Sequence, residues 1–104
     1  SQAPGGLVTA LLLAQLPRLE GMLLAARGGD PVELLTRGAD ALDRFGAVPD
    51  AARTRHALAA WLVEHHRPAE ALPLIESTQT TYTHLGAQAW LDELASLQRT
   101  AVPA

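Results

Sequence analysis

Residues 54–94, TRHALAAWLVEHHRPAEALPLIESTQTTYTHLGAQAWLDEL, decide the fold. The stretch reads as a helix, a tight turn at His66-Arg67-Pro68, a second helix, a stop at Gly86 and the start of a third helix. Pro68 suits the first position of a helix, where its missing N–H costs nothing. Gly86 stands where a left-handed C-cap is wanted. Leu58, Trp61 and Leu62 form the apolar stripe of the first of these helices. Ala71, Ile75, Thr78, Tyr82 and Leu85 recur at helical spacing in the second. Ser77 to Thr83 is rich in Ser and Thr, which are mediocre helix formers. A strand is the rival reading there, but no neighbouring segment offers it a partner.

Working outward, Gly28-Gly29, Gly46 to Pro49, Arg67-Pro68 and Gly86 divide the 104 residues into about five helical segments. The first, Leu7 to Arg27, is apolar around most of its circumference through Leu11, Leu12, Leu16, Leu19, Leu23 and Leu24, so it expects neighbours on more than one side. Pro17 should kink or divide it, because the ring clashes with the carbonyl of Leu13. The second opens on Asp30-Pro31-Val32-Glu33, where Asp caps, Pro takes the first position and Glu completes a capping box. It carries Leu34, Leu35, Gly38, Leu42 and Phe45 on one side. Glu33, Arg37, Asp40 and Arg44 lie on the other, spaced for i,i+4 pairs. The third runs from Pro49 to about His65. The fourth, Pro68 to Leu85, should bend at Pro73. The fifth, about Ala87 to Arg99, has Trp90, Leu94 and Leu97 on one stripe with Leu91 beside it.

An internal repeat is visible. Phe45-Gly46-Ala47 and Leu85-Gly86-Ala87 lie 40 positions apart, and Pro31 and Pro68 lie 37 apart. Such periods belong to helical-hairpin repeats. The expected fold is therefore all-α: antiparallel hairpins over 7–46 and 49–85 and a capping helix over 87–99. They form one domain from 7 to 101, with 1–6 read as a linker end. The chain opens on Ser rather than Met, which reads as a piece of something longer.

The turn phrase His66-Arg67-Pro68-Ala69-Glu70-Ala71-Leu72 resembles the joint between the two helices of a tetratricopeptide repeat. Leu85-Gly86-Ala87-Gln88-Ala89-Trp90-Leu91 resembles the step between repeats at the C-terminal end of large bacterial signalling proteins, the ATP-binding regulators of the LuxR and MalT type and the ATPase-linked nucleotide cyclases. Ala59 and Ala71 match the small residues where the paired helices cross, and Leu58 and Leu62 match large positions. The chain departs from the pattern at His66, where a turn Gly is common, at Thr78, where Ala is usual, and at Pro73. The resemblance implies a protein–protein interaction scaffold in the regulatory part of a larger bacterial protein, with no catalysis of its own. It also implies that Arg53, His56 and Ala60 face a concave groove with Val63 at its edge, where Arg53 would pair with a carboxylate on a protein or peptide partner.

Composition narrows the other classes. Hydrophobic residues make up 48% and aromatics 4%; Ala and Leu dominate, both strong helix formers. The net charge of −3, with arginines scattered along the chain, leaves no footprint for nucleic acid. With no cysteine, disulfides, thiolate metal sites and Cys nucleophiles are all excluded. A reducing compartment suits such a chain, and a cytoplasmic location is expected. Leu7 to Leu16 is far too short an apolar run to span a membrane and lacks the basic start of a signal peptide.

Candidate chemistry is sparse. His56, His65, His66 and His84 do not make the i,i+4 pair of a helical zinc site, since Ala60 stands four after His56. Asp40 with Asp43, and Asp92 with Glu93, adjoin no activated nucleophile. Gly28-Gly29-Asp30 lacks the strand and the Gly-Lys-Ser/Thr of a phosphate loop and reads as a C-cap followed by an N-cap. No enzyme, metal or cofactor is expected. A repeat array leaves apolar ends unsatisfied, so a homodimer through the first helix (Leu12, Leu16) or the fifth (Trp90) is expected. The alternative is a stand-alone bundle that dimerises or binds an apolar ligand. If closed, it would bury Trp90 against Leu12 or Leu16.

Overall fold

The computed structural model describes residues 3–102, with side chains from residue 9 onward. Five helices follow one another: α1 (Ala3–Ala26), α2 (Val32–Phe45), α3 (Val48–Glu64), α4 (Pro68–Leu85) and α5 (Gln88–Ala101). No strand occurs among the described residues, and Ser77 to Thr83 is helical. There Thr80, Thr81 and Thr83 donate their hydroxyls to the carbonyls of Glu76, Ser77 and Gln79, one turn back. No helix is long and apolar enough to cross a membrane among the described residues. α1 begins at Ala3, ahead of the expected Leu7, and runs unbroken past Pro17. α4 likewise continues through Pro73. Each ring removes one backbone bond, but neither divides its helix.

Four turns use one device. Gly28, Gly46, His66 and Gly86 all sit at positive φ (86°, 97°, 62° and 67°). The residue after each donates its N–H to the carbonyl five residues back: Gly29 to Leu24, Ala47 to Leu42, Arg67 to Leu62 and Ala87 to Tyr82, at 2.8–3.0 Å. This is the left-handed stop that absorbs the orphan carbonyls of a helix end. His66 does with an L side chain what the other three do with glycine. At the start of α2, Asp30 accepts the Val32 N–H (2.9 Å). The capping box does not close, because Glu33 lies with Arg37 instead (3.6 Å).

Each helix packs on its neighbours in sequence, and α3 also touches α5. Cross-links give the register. Along α1 and α3 the contacts advance together, Gln15 with Asp50 (3.3 Å) and then Met22 and Ala25 with Ala57 to Glu64, so these helices run in the same direction, and Arg53 of α3 donates to Glu93 of α5 (3.1 Å). α2 and α4 return antiparallel between them. The result is a stack of hairpins measuring 57 × 34 × 18 Å. Its buried centre is formed by Leu35, Ala52, Leu58, Ala59, Leu62, Ala71, Ile75, Tyr82, Leu94 and Ala101. The repeat is visible in burial: Leu35, Gly38 and Leu42 of α2 recur forty positions on as Ile75, Thr78 and Tyr82 of α4, all buried.

Three further expectations are corrected. Phe45 and Leu85, which continue the apolar stripes of α2 and α4 in sequence, are the last residues of their helices and are exposed. Asp40 does not pair along α2 but with Arg55 of α3 (3.1 Å), which also holds Asp43 (2.7 Å). The closed bundle is not formed: Leu12 and Leu16 are 62% and 47% exposed, and Trp90 packs on Tyr82 and Arg53 instead.

Candidate functional site

The four residues expected to line a groove from α3 go to three different environments. Arg53 and His56, one turn apart, meet at the hydroxyl of the buried Tyr82 of α4. Arg53 Nη1 lies 3.4 Å from Tyr82 Oη and 3.1 Å from Glu93 Oε2, and its guanidinium sits 4.7 Å above the Trp90 ring. His56 Nδ1 is 2.9 Å from the same Tyr82 Oη. The Tyr82 and Trp90 rings are tilted against each other with centroids 5.4 Å apart.

Proton placement follows from donor chemistry. Arginine only donates, so Tyr82 Oη accepts from Arg53. A neutral imidazole with its hydrogen on Nε2 lets His56 Nδ1 accept the Tyr82 proton. Burial first, and then the Arg53 charge, hold the His56 pKa below its ordinary value. Burial pushes the Tyr82 phenol up, so it stays protonated. This cluster fastens three helices together. Glu93 already supplies the carboxylate that Arg53 was expected to find on a partner.

Ala60 belongs elsewhere, in an apolar cleft of about 290 Å³ between α1 and α3, together with Met22, Ala25, Leu35, Ala57, Trp61 and Glu64. Val63 is half-buried against the core. The cleft follows from small residues: Ala25, Ala57 and Ala60 leave space between the parallel helices that larger side chains would fill.

At one end of the stack, Arg67 ties the two hairpins. It makes a two-pronged ion pair with Glu70 (2.6 and 2.8 Å), reaches Asp30 at the start of α2 (3.1 Å) and lies over Trp61. Arg67 holds Glu70 below the usual carboxylate range. The Val32 N–H, and then Arg67, do the same for Asp30. Among the described residues no three His, Asp or Glu side chains gather as a metal site.

The third feature is the outer face of α1. Leu12, Leu13, Leu16, Leu19, Met22 and Leu23 are each roughly half-exposed. The first helix therefore presents the self-association residues Leu12 and Leu16 to solvent. Trp90, the third such candidate, is engaged inside the molecule.

No family model, curated protein or solved structure matches the chain.

Sequence reasoning missed Tyr82 and Glu93 as partners of Arg53 and His56. Their one signal was a tyrosine on an apolar stripe, whose hydroxyl needs a partner when buried. It named Leu19 and Leu23 on the apolar circumference of the first helix but did not join them to Leu12 and Leu16 as one exposed row.

Proposed function

We propose that this chain is a non-catalytic protein–protein interaction module: a tetratricopeptide-like hairpin scaffold from the regulatory part of a larger bacterial signalling or transcription protein, acting in the cytoplasm. The observation that carries this reading is the exposed apolar face of α1 at the end of an open stack. Monomers rarely leave so many adjacent leucines in water without an interaction to make. The forty-residue recurrence and the shared stop at each turn support the repeat assignment. The partner is a protein or peptide surface, and a second copy of the chain is one of them.

The test is solution mass by sedimentation across a wide concentration range. A reversible dimer that weakens when Leu12 and Leu16 are made polar is expected. A strict monomer would remove self-association from the reading. The α1–α3 cleft favours a second reading, a small bundle that takes an apolar ligand. Titration of an apolar fluorescent dye, followed through the emission of the two tryptophans, of which Trp61 lines the cleft, checks it: saturable quenching abolished by Ala60→Phe is the outcome this reading requires.

A further inference from the structure

The exposed leucines of α1 are ordered. Leu12, Leu16, Leu19 and Leu23 are spaced four, three and four residues apart, the alternation of a seam in which one helix packs along another. At 100° per residue these four fall within about 60° of the helix circumference, and no charged residue falls among them. Leu13 and Met22 lie about 90° to either side of the row; the exposed Glu20 stands between the row and Leu13, and Met22 also borders the α1–α3 cleft. Pro17 falls outside the row. Gly21 and Arg18, which meet α2, lie on another face.

Six side chains between 46% and 62% exposed offer roughly 600 Å² per copy when fully covered, which brings two copies to the ~1,200 Å² at which specific interfaces begin. The order of the row also reads the same in both directions. Turned end for end, four-three-four superimposes on itself, placing Leu12 against Leu23 and Leu16 against Leu19 of a second helix. An antiparallel two-fold pairing can use this order directly, since each leucine then meets one that meets it in return.

We infer that the chain forms a two-fold dimer in which α1 packs antiparallel along α1 of a second copy, with Leu12 opposite Leu23 and Leu16 opposite Leu19. The inference rests on the interaction-module reading and specifies its partner and its geometry. In that arrangement the two hairpin stacks extend away from the seam, and the Arg53–Tyr82–Glu93 clusters stay outside it.

The chain contains no cysteine, so engineered thiols report without background. Leu12→Cys and Leu23→Cys single variants are mixed under mild oxidation, alongside each variant alone. A disulfide-linked heterodimer from the mixture, with little from either variant alone, is the expected result. Leu16→Glu should raise the dimer dissociation constant on the order of a hundredfold, with helicity by circular dichroism unchanged because Leu16 is exposed. Self-linking of Leu12→Cys alone would mean a parallel seam and overturn the inference while leaving the module reading intact. So would a dimer by mass that ignores Leu16→Glu and does not cross-link. A monomer at every concentration would overturn both the geometry and the self-association.

Discussion

The α1–α2 hairpin and the α3–α4 hairpin share a topology but close differently. In the first, two backbones meet: a Cβ on Gly38 would lie 2.7 Å from the Arg18 nitrogen, and one on Gly21 would press into Leu35 at 2.9 Å. In the second, side chains fill the space, with Leu58, Ala59 and Leu62 of α3 against Ala71, Ile75 and Tyr82 of α4. Among the described residues, Leu35 is the one member of the buried central cluster that the first hairpin supplies. Close approach of backbones gains short-range packing but little apolar burial. The first hairpin thus depends on two absent side chains, and the second on several present ones.

One substitution at equivalent positions should break this symmetry most visibly. Gly38→Val forces α1 off α2 and should cost about 3 kcal/mol, since the obstructing atoms are backbone. Thermal or urea unfolding measures it, and hydrogen exchange should show lost protection in α1 before α4. An unchanged midpoint would mean that the crossing is looser than described.

Next comes the second hairpin's polar cluster. Tyr82→Phe leaves His56 Nδ1 without its partner, while Arg53 Nη1 keeps Glu93, and should cost about 1–2 kcal/mol. The same cluster sets a pH response. Because the folded His56 pKa is depressed below 6.5, the unfolded chain binds its proton first. Stability from this group is therefore complete above the unfolded value and is lost as pH falls through the folded one. His56→Gln should flatten that part of the stability–pH curve, which denaturant titrations at several pH values would read out.

Thr78→Val sharpens the comparison. Thr78 stands forty residues after Gly38, and its hydroxyl is buried with no hydrogen-bond partner among the described residues. Replacing it with a methyl should stabilise by about 1 kcal/mol. Valine would thus harm one hairpin and help the other. The smallest effect is His66→Gly. Relieving a left-handed L residue is worth ~1–2 kcal/mol, but the added freedom of glycine in the unfolded chain offsets part of it. A net gain below about 1 kcal/mol in the unfolding midpoint is expected.

Much of this architecture is written locally and so could be read from the sequence. The bounds of α4, Pro68 and Leu85, agree with the structure because a helix-starting proline and a left-handed glycine act through their own dihedrals. The missing turn glycine at His66 was equally visible, and its φ of 62° shows that histidine takes up that conformation. What a helical period cannot convey is which neighbour covers an apolar face. Phe45 and Leu85 continue their stripes in sequence, yet each lies at the end of a helix, past the reach of its neighbour. The Tyr82 cluster was hidden for a related reason. Arg53 lies 29 residues from Tyr82 and 40 from Glu93, so only the finished stack brings the three together.

The four left-handed stops have a consequence for how such a chain can be edited. They fall at residues 28, 46, 66 and 86, and each is closed by a bond from the loop to the helix it ends. No stop takes its backbone bonds from another hairpin. Joining Gly46 directly to Ala87 would excise forty residues, a whole pair of helices, and leave every surviving turn with its own backbone bonds, though Asp30 would lose its Arg67 partner. Duplicating that segment would add a pair on the same terms. Copy number can then change by recombination at the glycines, with only the side-chain seams between units left to readjust.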